Sequence, residues 1–179
     1  MEYINIYLAN LGRFNENSGG KSGEWVKLPV PPENIDAILK GIGIDQQRYS
    51  EYFIPAFETS FANLEISEFT NLNELNHLAE RIENLSSWDT EKFAAVVEVE
   101  CPHSISAMHE ILDQLDDFNI IPDIDDEEKL GLYYAEMCGT FQCLPPELQN
   151  YIDFEAFGRD IHLDGTGTFC SFGYLEDNR

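Results

Sequence analysis

Apolar and polar residues alternate through residues 3–9, with Ile4, Ile6 and Leu8 on one side and Tyr3, Asn5 and Tyr7 on the other. That period of two predicts a half-buried strand. Residues 24–28 (EWVKL) read as a second strand, beyond an Asn/Ser/Gly-rich loop over 15–23. Pro31-Pro32-Glu33 then opens a helix, because the N–H that proline lacks has no partner in a first turn. Ile35, Ile38, Leu39 and Ile42 follow at helical spacing, and Gly41 and Gly43 mark the end of the helix. Residues 52–57 predict a third strand, which Pro55 confines to a sheet edge or a bulge. Residues 1–60 therefore read as a small α+β unit.

From residue 61 the period changes. Leu72, Leu75, Leu78, Ile82 and Leu85 form a helical stripe behind Asn71, a favourable N-cap. Phe93, Val96 and Val97 form a second stripe. Ile105, Met108, Ile111, Leu112 and Leu115 form a third, entered through Cys101-Pro102. Residues 61–117 accordingly read as helical, with Glu65, Glu68, Glu74, Glu80, Glu83, Glu91, Glu98 and Glu100 on outer faces. The run DIDDEE at 123–128 opens a further helix over 130–138, where first-turn carboxylates complement the positive end of the helix dipole. Leu144-Pro145-Pro146 starts a short helical turn and 151–160 another helix. Gly165, Gly167 and the alternation through Thr168, Cys170, Phe172 and Tyr174 predict a final strand or hairpin.

Charge sets this chain apart from an ordinary small α+β protein. Thirty-four Asp and Glu stand against ten Lys and Arg, a formal net charge of -24 on 179 residues. Like charges repel in a compact state, and low hydrophobicity at such charge would mean disorder. Here 43% of the residues are hydrophobic and 12% aromatic, enough to bury a core beneath an acidic shell. The excess is graded, with net -3 over 1–60, -7 over 61–100 and -14 over 101–179. A surface made acidic for solubility alone would be acidic throughout, so the gradient points to a directed role. The same acidity excludes direct nucleic-acid binding, which needs Lys and Arg on phosphates, and docking on anionic membranes. No apolar run approaches the roughly 18 residues of a membrane span, and no secretory leader is visible at Met1. Cys101, Cys138, Cys143 and Cys170 form no CxxC pair and are expected to be reduced, mostly buried thiols of a cytoplasmic protein.

The acidic runs carry no catalytic or metal signature. A calcium loop starting at Asp123 would need Gly in its sixth place and a bidentate Glu in its twelfth; those places hold Glu128 and Tyr134. Cys101, His103 and His109 match no zinc spacing, and His77 and His162 stand alone. Catalytic carboxylates need environments that drive their pKa values apart, whereas Asp116-Asp117 and Asp125-Asp126 are solvated alike. There is no G-x-S-x-G, no phosphate-cradling Gly loop and no H-E-x-x-H. Gly165-Thr166-Gly167 reads as a turn. Neither an enzyme nor a cofactor is expected.

Several segments fall into a recognisable order. Residues 6–15 (IYLANLGRFN) are followed by Gly23-Glu24-Trp25 and Leu28-Pro29-Val30, and then by Tyr52-Phe53-Ile54 with Phe57-Glu58. Leu130-Gly131 with Tyr134-Ala135-Glu136, then Leu144-Pro145, and finally residues 151–160 (YIDFEAFGRD) complete the series. Over nearly its whole length the chain resembles the ArdA antirestriction proteins. The resemblance implies a DNA mimic, encoded on mobile elements, that occupies the DNA-binding groove of type I restriction–modification enzymes and protects incoming DNA. It implies an elongated α+β chain of three small domains, here 1–60 (α+β), 61–117 (helical, acidic) and 118–179 (α+β, acidic). It also implies a homodimer through the C-terminal region, where Tyr133, Tyr134, Phe141, Phe154, Phe157, Phe169 and Phe172 are concentrated.

B-DNA carries one negative charge per about 1.7 Å of axis, so a mimic spreads carboxylates over a long surface, and two copies would bring -48 to it. The expected partner contacts are Glu65, Glu68, Glu80, Glu83, Glu98, Glu100, Glu110, Asp113, Asp116, Asp117, Asp123, Asp125, Asp126, Glu127 and Glu128. Trp25, Tyr52 and Phe157 sit in apolar runs and are expected in the core. An acidic interaction module that docks on or sequesters another basic DNA-binding protein would share this composition. Competition with DNA for a restriction or methylation complex separates the two.

Overall fold

The computed structural model describes residues 3–16, 21–45, 47–61, 64–139, 144–149 and 151–179. The fold is mixed α and β with two small antiparallel sheets. In chain order the elements are β1 (Ile4–Asn10), α1 (Leu11–Glu16), β2 (Gly23–Leu28), α2 (Pro32–Gly41), β3 (Tyr52–Thr59), α3 (Leu72–Glu83) and α4 (Ser87–Glu100). They continue with α5 (Ile105–Asp113), a 3-10 turn (Leu115–Asp117), β4 (Phe118–Ile121), α6 (Glu127–Cys138), α7 (Pro146–Gln149), α8 (Phe154–Asp164), β5 (Thr168–Cys170) and β6 (Gly173–Asp177). These pack as two compact units, Met1–Ser86 with Pro102–Leu112, and Ser87–Cys101 with Asp113–Arg179. The acidic helices of 61–117 are thus shared, α3 falling in the first unit and α4 in the second.

The first unit is built on a sheet of order β2-β1-β3. Ile4 stands opposite Leu28 and Ile6 opposite Val26, and all four are buried, as the alternation of β1 requires. Pro55 lies on an edge strand at a register shift, where Ala9 pairs with Phe53 and Tyr7 with Ala56. Trp25 departs from expectation: it is 52% exposed, on the opposite face of β2 from Val26 and Leu28, with its ring edge-on to Tyr7 at 5.6 Å. Tyr52 and Phe157 are half-buried rather than core residues. Asn15 and Glu16, read from sequence as loop or its edge, belong to α1, which runs to Glu16; residues 17–20 lie outside the described residues. That short helix is capped by the buried Asn10, whose Oδ1 accepts from Arg13 N at 3.0 Å.

Helix α3 starts where Asn71 predicts, its side chain accepting from the amides of Asn73 and Glu74. Asn76, buried on α3, grips Val30 by accepting from its N–H (2.8 Å) and donating to its carbonyl (3.0 Å). Residues 64–70, by contrast, hold no helix. Leu64 and Ile66 are buried on either side of exposed Glu65, a period of two. Their backbone bonds outward as well, Ile54 N donating to Glu68 O and Glu65 N to His103 O.

The second unit has the sheet order β4-β6-β5. Its hairpin, β5 and β6, was foreseen; β4 was not. Helix α4 packs on β4 and β5 with Phe93, Val96 and Val97 buried. Ile121, Leu130 and Tyr174 form a core cluster ringed by Ile124, Tyr133, Tyr134, Ile161 and Phe169. Helices α6 and α8 cross at glycine on glycine: a methyl at Gly131 would overlap the Phe154 carbonyl oxygen, and one at Gly158 that of Glu127. Helix α8 begins at Phe154 rather than at 151, because Asp153 is its cap, accepting from Ala156 N at 2.9 Å. The thiols are not mostly buried. Cys101 and Cys138 are exposed, Cys170 is half-buried, and Cys143 lies outside the described residues.

Candidate acidic interaction surface

Charge divides unevenly between the units. Ser87–Cys101 with Asp113–Arg179 carry 20 Asp and Glu against 4 Lys and Arg, net -16, while the first unit carries 14 against 6, net -8. All four cations of the second unit are engaged by carboxylates of the same unit. Lys92, nearly buried on α4, lies 3.8 Å from Asp89, and Lys129 pairs with Asp125 one turn away. Arg159 on α8 bridges Glu127 (3.0 Å) and Glu155 (2.8 Å). Arg179 holds Asp177 (2.7 Å) and Glu100. The hydrogen bond from Lys129 holds the Asp125 carboxyl below its ordinary value, and that from Arg179 does the same to Asp177. Lys129 and Arg159 are raised in turn by their carboxylate partners.

The fifteen carboxylates expected to meet a partner are all exposed except Glu127, which is half-buried. In the first unit, Glu65 and Glu68 precede α3, Glu80 and Glu83 lie one turn apart on it, and Glu110 on α5 accepts from Ser106 Oγ at 3.4 Å. In the second, Glu98 and Glu100 are on α4, Asp113 closes α5, Asp116 and Asp117 occupy the 3-10 turn, and Asp123 to Glu128 lead into α6. Several have local partners. Glu98 accepts from Ser171 N (3.0 Å) and from its hydroxyl, bracing the β5–β6 turn. Asp126 Oδ1 caps α6 by accepting from Lys129 N at 2.8 Å. Asp125, Glu127 and Glu100 are spent in ion pairs. Asp123 adopts a left-handed φ of 64°, which aspartate tolerates better than most residues. Among the described residues, Glu65, Glu68, Glu80, Glu83, Asp116, Asp117, Asp123 and Glu128 make no side-chain hydrogen bond or ion pair.

Exposed carboxylates that the acidic runs did not single out include Asp160 and Asp164, one turn apart on α8, Glu136 on α6, and Glu91, two turns before Glu98 on α4. For Asp160, Asp164 and Glu136 the signal was the net -14 of residues 101–179 rather than any local run, and for Glu91 it was the outer face of its helix. Among the described residues no group of three or more His, Cys, Asp or Glu could hold a metal ion. His77 stacks on His109 at 5.3 Å, and His109 Nδ1 lies 3.0 Å from Arg81 Nη1. No helix of the described residues is long and apolar enough to cross a membrane.

The family model described as antirestriction protein (ArdA) matches residues 6–176, which takes in most of both units and all fifteen carboxylates expected to meet a partner. The chain belongs to the ArdA antirestriction family. No curated protein matches it. The ArdA family is one of inhibitors, and antirestriction points to a restriction–modification enzyme as the class of partner. In this ArdA chain local ion pairing sets, residue by residue, how much charge is left facing outward.

Proposed function

We propose that this ArdA protein inhibits a type I restriction–modification enzyme by occupying its DNA-binding groove as a DNA mimic. The observation that carries the reading is the engagement of all four cations in the unit of net -16, which leaves its unpaired side-chain charges of one sign only. A groove built for DNA presents Lys and Arg to phosphates and releases counterions on binding. A carboxylate surface without competing cations meets the same demand and is steered toward the groove at long range. The protein acts in the cytoplasm of a host receiving unmodified DNA on a mobile element.

A homodimer through residues 130–175 fits the same reading. Leu132, Met137, Leu148, Tyr151 and Leu163 are exposed there, whereas Tyr133, Tyr134, Phe154, Phe157 and Phe169 are half-buried within their own unit; Phe172 is exposed and Phe141 lies outside the described residues. The test is displacement: labelled DNA bound to a type I enzyme is titrated with this protein, alongside plating of unmodified phage with and without its gene. Release of DNA at stoichiometric protein and recovered plating support mimicry. Protection with DNA still bound to the enzyme overturns it and favours an acidic module acting on some other basic protein.

A further inference from the structure

Arg179, two residues beyond β6, sits in a receptor with four walls. Asp177 takes its Nε (2.9 Å) and Nη2 (2.7 Å) as a fork, and Gln114 Oε1 accepts from Nη1 at 3.2 Å. Glu100, at the end of α4, accepts from Nη2 as well. The guanidinium carbon stands 4.5 Å over the ring of Phe118 in β4. In-plane acceptors together with an aromatic face are what a guanidinium requires and an ammonium does not. Glu100 comes from the end of α4, and Gln114 and Phe118 flank the 3-10 turn in a separate stretch of the second unit, so its fold holds those walls in place. Arg179 keeps 35% of its side chain exposed, so the side chain can leave its seat without opening the core.

We propose that this receptor is an arginine-binding pocket for the partner protein, and that Arg179 is an internal occupant which the partner's arginine side chain replaces. While seated, Arg179 withholds Glu100 and Asp177 from the interaction surface. The proposal rests on the mimicry reading in one respect: the DNA groove of the restriction enzyme supplies the incoming arginine.

Calorimetric titration of Arg179→Ala with argininamide and with lysinamide tests the pocket without any enzyme. The variant is expected to keep the melting transition of the natural protein. It should bind argininamide about tenfold more tightly than the natural protein does, and should prefer it to lysinamide by about fivefold. Arg179→Lys, which keeps the charge and loses the fork, should fall between. Adding Gln114→Ala or Glu100→Gln to Arg179→Ala should remove the preference. Against a type I enzyme, Arg179→Ala should displace DNA at about a third of the concentration that the natural protein needs. The proposal is overturned if Arg179→Ala fails to fold, if it binds the two amides alike, or if the natural protein displaces DNA and the variant displaces it no better. Selective argininamide binding in a protein that displaces no DNA, with or without Arg179, would uphold the pocket and overturn the mimicry instead.

Discussion

Single carboxylates in this protein differ in task although they look alike in sequence. Asp126 holds the first turn of α6 by accepting from Lys129 N. Asp126→Ala should therefore lower stability by about 1 kcal/mol, whereas Asp126→Asn, which can still cap, should leave the urea midpoint nearly unchanged. Asp177 is held below the ordinary carboxylate value by the Arg179 fork. A depressed folded-state pKa contributes stability above the unfolded value and loses it as pH falls through the folded one. In a carboxyl-detected titration the Asp177 midpoint should lie below that of an unpaired aspartate, and Arg179→Ala should raise it; an unmoved midpoint would deny the pairing. The exposure of Trp25 was legible in principle. In EWVKL the buried positions are Val26 and Leu28, so parity places Trp25 and Lys27 on the other face. Reading the run as apolar overlooked that parity.

At the scale of elements, the crossing of α6 and α8 is the contact most sensitive to change. Gly131→Ala or Gly158→Ala drives a methyl into backbone that cannot move aside, and each should cost about 3 kcal/mol. Gly41→Ala makes a control. Its new methyl would stand 3.6 Å from Glu24 Oε1, ordinary contact at a helix end, and urea unfolding should show no loss and a gain of about 0.5 kcal/mol. Helices with a cap and a stripe, such as α3 behind Asn71, were legible because local and tertiary signals agree. The glycine crossing was not, since a helical glycine in sequence reads only as a destabilising residue. Strand β4 escaped because Phe118, Ile120 and Ile121 are buried over four residues, too few to show a period, beside the acidic run that marks the next helix. Helix α1 escaped because LGRFNE has no apolar stripe and buries none of its side chains.

For the whole molecule, charge acts as a sum. Each surface carboxylate contributes little at physiological salt, so a single amide at Asp123, Asp125, Asp126, Glu127 or Glu128 should barely alter antirestriction. All five together should weaken it and flatten its salt dependence. The structure sharpens the comparison. Asp116, Asp117, Asp123 and Glu128, which make no side-chain hydrogen bond or ion pair among the described residues, should matter more as a set of amides than Asp125, Asp126 and Glu127, which do. One amide that abolishes inhibition in a folded protein would mean a focused hot spot and not a distributed surface. Sedimentation at micromolar protein and physiological salt should show a dimer, and more so as salt screens the repulsion between copies; a monomer throughout would reject the C-terminal interface. The acidic character of the surface was legible from composition, but its division into spent and unspent carboxylates was not. That division depends on where four cations come to rest after folding.

The path of the chain between its two units has a consequence for how the protein is made. The backbone leaves the first unit after Ser86, returns to it at Pro102, and leaves again after Leu112. On the ribosome, α4 thus emerges between two segments of the unit that is closing around it in sequence. Its stripe of Phe93, Val96 and Val97 stays uncovered until β4 and β5 have followed. A waiting apolar helix of this kind invites aggregation. Here it waits in a nascent chain whose own acidity keeps neighbouring chains apart.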